Sequence, residues 1–224
     1  MRIKIITASM IMLLVTTAFS QQKNKITVRS MMSEPTNDVV LVAAHRGVQS
    51  SFPENSIAGI QMALDIGADI VEIDVRVTKD GIPVLMHDDD IDRTTNGSGA
   101  LNKFTLAELQ SYRLVDTLVH TQEFKIPTLE EVLKLETGDS FFYLDLKNSI
   151  KELDAILAKV IEMNAKNRVI FYVKDNVNSI KKIDPLARQS MDVYAELVGK
   201  GVNIILTDYP DILLNYLRSV DKHK

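Results

Sequence analysis

Two histidines, His45 and His87, close segments that read as strands, and between them Asp69-Ile70-Val71-Glu72-Ile73-Asp74-Val75-Arg76-Val77-Thr78 sets two carboxylates two residues apart. The β-branched content argues for a strand with Val71, Ile73, Val75 and Val77 on one face and Glu72, Asp74 and Arg76 on the other. Acids so placed repel each other unless a cation or strong donors lie between them. Oxygen ligands of this kind suit a hard ion, Ca²⁺ or Mg²⁺, rather than zinc. With two imidazoles and Arg46 beside His45, these are the parts for metal-assisted cleavage of a phosphate ester. Taken singly, each has a plainer reading: Glu-x-Asp suits the solvated face of an edge strand, and a strand-end histidine often only satisfies a backbone group. A second strand repeats the pattern. In Phe141-Phe142-Tyr143-Leu144-Asp145-Leu146-Lys147, Asp145 and Lys147 share one face, with Phe142, Leu144 and Leu146 on the other.

The elements that must position these groups alternate along the chain. Strands are expected at Val39 to His45, Asp69 to Thr78, Pro83 to His87, Phe141 to Lys147, Arg168 to Lys174 and Val202 to Thr207. Helices are expected at Asn55 to Ile66, Thr105 to Tyr112, Leu129 to Leu135, Ile150 to Asn164 and Met191 to Gly199, with a last one after Pro210. Such alternation implies a parallel α/β sheet. The loop from Asp88 to Asn102 is acidic, then rich in Gly and Ser; its acids could add ligands, but it reads better as a solvated turn, and its Asn96-Gly97-Ser98 also fits the glycosylation triplet.

The ordered motifs resemble the glycerophosphodiester phosphodiesterase family. They run from His45-Arg46-Gly47 through Pro53-Glu54-Asn55-Ser56, Gly67-Ala68-Asp69, Glu72-Ile73-Asp74-Val75, Thr78-Lys79-Asp80-Gly81, Val84-Leu85-Met86-His87-Asp88 and Asp92-Arg93-Thr94-Thr95-Asn96-Gly97. Pro127-Thr128-Leu129, Leu144-Asp145-Leu146-Lys147 and Gly201 to Pro210 are similar to later family blocks. The resemblance implies a TIM-type (β/α) barrel with its site at the carboxyl ends of the strands. It implies His45 and His87 as the acid/base pair, Glu72, Asp74 and Asp145 as ligands of one divalent cation, and Arg46 and Lys147 as groups that meet the substrate phosphate. Asp145 stands where the family usually has glutamate, so its arm is one methylene shorter. Glu54 and Asn55 are expected to order the loop behind these groups, or to cap the following helix.

The implied reaction is hydrolysis of a glycerophosphodiester to glycerol 3-phosphate and an alcohol. A catalytically weak relative that only binds phosphodiesters is the alternative, and the strand count favours it. Six strands are legible where a full barrel needs eight, and 174–202 has no room for two further βα units of about thirty residues each. The barrel is therefore expected to be shortened in its carboxyl half, with exposed edges on the strands at 168–174 and 202–207 that invite self-association. A lipid-surface enzyme would want an apolar membrane-facing loop, and none is legible.

Composition sets the frame. Residues 1–20 have a basic start (Arg2, Lys4), an apolar run from Ile5 to Phe19 and Ala18-Phe19-Ser20 before Gln21, the outline of a cleavable secretory signal too short for a membrane span. Removing them leaves 204 of the 224 residues and, losing two bases and no acid, moves the formal charge from −4 to −6. Residues 21–38 read as a mobile lead-in and 39–224 as one catalytic domain. The acidic balance disfavours nonspecific nucleic-acid binding. The absence of cysteine excludes disulfides and a lipid-anchored Cys. A periplasmic or secreted protein without a stable membrane anchor is the expectation.

Overall fold

The computed structural model describes residues 28, 38–115, 122–147, 150–171, 180–182, 194–195, 198–199 and 204–223. The expected signal at 1–20 and nearly all of the expected lead-in at 21–38 lie outside them, as does most of the expected helix at 191–199. Of the lead-in, Val28 and Asp38 are described, and Val28 is fully buried.

Among the described residues, seven strands form one sheet: β1 Leu41–His45, β2 Ile70–Val77, β3 Pro83–Leu85, β4 Phe141–Leu146, β5 Val169–Phe171, β6 Ile180–Lys182 and β7 Ile204–Thr207. Six run parallel in the order β5-β4-β2-β1-β7-β6, and β3 pairs with β2 off that path. The helices are α1 Ile57–Ile66, α2 Leu106–Leu109, α3 Leu129–Leu133, α4 Ile150–Glu162 and α5 Pro210–Ser219. Ser56 caps α1 by accepting the Gly59 N–H, and Thr105 and Thr128 form reciprocal capping boxes with Glu108 and Glu131.

Alternation divides each central strand between two cores. Outward, Ala44, Val71, Ile73, Val75, Phe142 and Leu144 pack against Ile60 and Ala63 of α1, Val132 of α3 and Ile156 of α4. Inward, Leu41, Ala43 and Ile70 pack with Val28, Phe141, Tyr143, Ile204 and Leu206. One cavity of about 60 Å³ touches residues of β1, β2, β4, β5 and β7, among them Ala43, Glu72, Tyr143, Ile170 and Leu206. In a flat sheet β5 and β7 would stand four strand spacings apart, about 19 Å at ~4.8 Å each. Both reach so small a cavity only because the sheet curls around it as the wall of a barrel. Among the described residues that wall stays open between β5 and β6.

The structure corrects two expectations. The segment at 83–87 is not a parallel stave: β3 runs antiparallel to β2, with Val75 opposite Leu85 and Val77 opposite Pro83. The five residues between them are too few for a crossover, and a turn closes them, with the Thr78 hydroxyl bonded to Asp80 and to the Ile82 N–H. The second correction is β6, which runs parallel to β7 with Ile180 opposite Ile204. It covers the flank of the strand at 202–207 and moves that open edge to Ile180–Lys182.

Ile73 is fully buried on the outer face, so Ile73→Ala is expected to cost about 2–5 kcal/mol in urea unfolding. Amide exchange is expected to be slow in Leu41–His45 and Ile70–Val77 and fast in Val169–Phe171 and Ile180–Lys182, with light scattering showing self-association as concentration rises. Equal protection in all four strands would indicate a closed wall.

Candidate active site

Register builds the site. His45 of β1 lies opposite Glu72 of β2, and Asp74 lies opposite Asp145 of β4. All four face inward near the carboxyl ends of their strands. β2 is central, and all eight of its residues are buried, so the solvated-edge reading of Glu72 and Asp74 does not hold. Each of Glu72, Asp74 and Asp145 offers an oxygen within 4.8 Å of the others, the one such cluster among the described residues. Oxygens within that spacing are near enough for one hard cation such as Ca²⁺, with oxygen ligands at ~2.4 Å, to be held by all three. Asp74 is fully buried and Glu72 nearly so. Hard oxygen donors gathered in this way out of water fit a divalent cation.

Two cations already serve these acids. Lys147 Nζ lies 2.9 Å from Asp74 Oδ1 and also bonds Asp145. Arg46 Nε lies 3.0 Å from Asp74 Oδ2, which accepts the Asn55 side-chain N–H at 2.8 Å, while Asn55 Oδ1 accepts the Asp74 N–H. Burial and then the neighbouring Asp74 charge push the Glu72 carboxyl well above its ordinary value. Burial also raises Asp74, but Arg46, Lys147 and the Asn55 hydrogen bond outweigh it and hold that carboxyl below its ordinary value. For Lys147, burial works against the charge, but its bonds to Asp145 and Asp74 keep the ammonium above its ordinary value.

The expected site residues come together as follows. Glu72, Asp74, Asp145 and Lys147 form one cluster, and Arg46 leans onto it. Arg46 sits at φ 59° directly after β1, and its N–H donates to the Glu72 carbonyl and carboxylate. Glu54 accepts from Arg46 Nη1 at 2.9 Å, and Asn55 orders Asp74, so both hold the loop while Ser56 takes the cap. His45 is buried beside Glu72, its Nε2 3.9 Å from a carboxylate oxygen. His87 stands at the rim with its side chain 36% exposed.

Four further residues complete the arrangement, and none was among the expected site residues. Asp208, just beyond β7, lies 2.5 Å from His45 Nδ1, and Gln49 donates to the same oxygen and to the His45 carbonyl. Asp88 lies 2.6 Å from His87 Nδ1. Arg93 bonds Asp88 and holds its carboxyl down at about 2. With an ordinary value of 3.8, Asp88 gives its full stabilisation above that pH and loses it as the pH falls through about 2. Each histidine therefore has a carboxylate on Nδ1, which fixes the ring and leaves Nε2 for chemistry. The only forward signal was local, since Asp88 adjoins His87 and Asp208 ends the apolar run at 202–207.

Residues 45–192 match the glycerophosphoryl diester phosphodiesterase family. The chain is 39% identical over 156 residues to a glycerophosphodiester phosphodiesterase of Caldanaerobacter subterraneus, a match covering 65% of this chain and 63% of that relative. The chain thus spans less than two thirds of that relative's length. A glycerophosphoryl diester phosphodiesterase structure from Parabacteroides distasonis superposes with TM-score 0.70 at 23% identity, covering 87% of this chain and 93% of that one. An Oleispira antarctica phosphodiesterase in complex with the product sn-glycerol-3-phosphate superposes with TM-score 0.62 at 20% identity, covering 80% and 97%. These likenesses show the fold.

Arg46 depends on the residue after it. Gly47 has φ 90°, and a Cβ there would lie 2.6 Å from the Gly59 carbonyl carbon of α1. Gly47→Ala is expected to cost about 1–3 kcal/mol for the backbone conformation alone, more for the clash, and to displace Arg46. Urea unfolding reads the cost, and an unchanged midpoint would contradict it.

Proposed function

The chain belongs to the glycerophosphoryl diester phosphodiesterase family, and from that premise we propose that it hydrolyses glycerophosphodiesters to glycerol 3-phosphate and an alcohol. The observation that carries this reading is the pair of carboxylate-backed histidines flanking a cluster of three acids and two cations. A divalent ion, Ca²⁺ or Mg²⁺, would be held by Glu72, Asp74 and Asp145 and would supply positive charge for the phosphate oxygens. Arg46 and Lys147 orient the phosphate and offset its charge as the transition state forms.

His45 is the deeper histidine, and Asp208 holds its Nδ1, so its Nε2 takes the proton of the attacking hydroxyl. His87, at the rim where the leaving alcohol meets solvent, delivers a proton from Nε2. The attacker is the adjacent hydroxyl of the glycerol. Its oxygen bonds phosphorus as the bond to the alcohol oxygen breaks, leaving a cyclic phosphate. Water then adds: His87 takes its proton, and His45 returns one to the ring oxygen that leaves. Asp88 and Asp208 stabilise each imidazolium as it forms.

The reading extends to location. The basic start and apolar run of residues 1–20 support export to the periplasm or medium, and among the described residues no helix is long and apolar enough to cross a membrane. Among the described residues the wall is open between β5 and β6, which favours a second reading, a weakly active relative that binds phosphodiesters. Turnover separates the two.

Purified protein assayed on glycerophosphocholine and glycerophosphoethanolamine is expected to release glycerol 3-phosphate, to stop on chelation and to recover with Ca²⁺ or Mg²⁺. His45→Ala and His87→Ala are each expected to lower turnover by about 10²- to 10⁴-fold with little change in thermal midpoint. Turnover undiminished after exhaustive chelation, or in either folded variant, would contradict the assignment.

A further inference from the structure

Arg93 is absent from the reaction as assigned, yet the two sides of the site meet on it. Its side chain is 49% exposed. Nε donates to Asp88 Oδ2 at 2.6 Å and Nη1 to Glu54 Oε2 at 2.7 Å, while Nη2 donates to Glu54 Oε1 at 2.9 Å and Asp88 Oδ1 at 3.2 Å. Each carboxylate has a second partner inside the site. Asp88 Oδ1 lies 2.6 Å from His87 Nδ1, and Glu54 Oε1 accepts from Arg46 Nη1 at 2.9 Å. Arg46 then reaches Asp74 at 3.0 Å. An unbroken line of charged contacts runs from the rim histidine through two guanidinium groups, Arg93 and then Arg46, to the buried acid cluster.

Two plainer roles fit less well. A half-exposed arginine at the mouth of an anion site could bind the substrate phosphate itself. Four of its N–H contacts are already given to carboxylates, however, and both carboxylates would have to be released first. It could also be an ordinary surface ion pair, worth ~0–1 kcal/mol and serving nothing else. Against that stands the geometry: the planar fork meets two carboxylates at once, a match no single ammonium can make, and each carboxylate is shared with a group assigned to the chemistry. Glu54 lies 39 residues from Arg93, so the fork ties the loop after β1 to the loop after β3.

We propose that Arg93 is a positioning residue, a clamp that orients the His87 ring through Asp88 and sets Arg46 against the phosphate through Glu54. The proposal rests on the phosphodiesterase reading for its catalytic consequence and on geometry alone for its effect on the His87 ring. Without the guanidinium, Asp88 and Glu54 keep their charges and lose the group that holds them apart at fixed positions. Asp88 is then free to turn away from Nδ1, and Glu54 to follow Arg46 or solvent. Small displacements of reacting groups cost large factors in rate.

The test uses the full chain with its divalent ion, as wild type, Arg93→Ala and Arg93→Lys. Turnover of glycerophosphocholine is expected to fall about 10- to 10²-fold in Arg93→Ala, less in Arg93→Lys, with thermal midpoints close to wild type. Guanidinium ion in the buffer is expected to restore part of the rate to Arg93→Ala and to do nothing for wild type. Histidine ¹⁵N spectra are expected to show one tautomer for His87 in wild type and a mixture in Arg93→Ala. Full activity in folded Arg93→Ala, or a loss that follows the thermal midpoint and resists guanidinium, would overturn the clamp. If wild type itself shows no turnover, the phosphodiesterase reading falls and the spectra alone judge the clamp, an unchanged His87 tautomer overturning it.

Discussion

The rest of the molecule depends on a repulsion. Pairing β2 between β1 and β4 in this register sets Asp74 beside Asp145, with Glu72 two residues back on the same inward face. Their oxygens lie within 4.8 Å of one another. Two unit charges at that distance in an effective dielectric near 20 repel by about 3–4 kcal/mol, a large share of the ~5–15 kcal/mol that holds a domain folded. A fold does not keep such an arrangement without offsetting charge. Lys147 and Arg46 supply it from either side, Asn55 adds two hydrogen bonds to Asp74, and burial with the Asp74 charge raises the Glu72 carboxyl. The local turns follow from the same need. Arg46 sits in the left-handed region at φ 59°, Gly47 beside it admits the close approach of α1, and Asn55 at φ 56° turns back to Asp74.

The inner half of this arrangement was legible because strands write their faces into the sequence. The period-two pattern of Ile70–Val77 separates the valine face from Glu72, Asp74 and Arg76, and the structure keeps that separation. The same holds for Phe142 and Leu144 against Asp145 and Lys147. Direction was harder to read. Pro83–Leu85 has the composition of a stave, and only the shortness of the Thr78–Ile82 link tells that it must fold back against β2. Ile180–Lys182 carries two lysines in three residues and shows no alternation, so its pairing with β7 left no local mark. Asp208 and Gln49 were missed for a related reason. Asp208 meets His45 across 163 residues, a contact that β7 creates by lying beside β1.

The open wall and the intact cluster belong to different parts of the sheet. Every group of the site is carried by β1, β2 and β4 or by the loops that follow β1, β3, β4 and β7. The strands β4-β2-β1-β7 form a continuous block, paired on both flanks. Among the described residues the gap lies beyond it, between β5 and β6. The central block also holds the larger outer core, with Ile60, Ala63, Val132 and Ile156 pressed on it by α1, α3 and α4. Among the described residues the open part of the wall thus lies away from the acid cluster, whose strands stay in register.

The direct test of this account is a calorimetric titration of chelator-stripped protein with Ca²⁺ and Mg²⁺. If the inward carboxylates are kept together for a cation, the titration gives one site per chain, lost in Asp74→Asn and retained in Asp145→Glu. A protein that binds neither ion, or binds as well after Asp74→Asn, would contradict it.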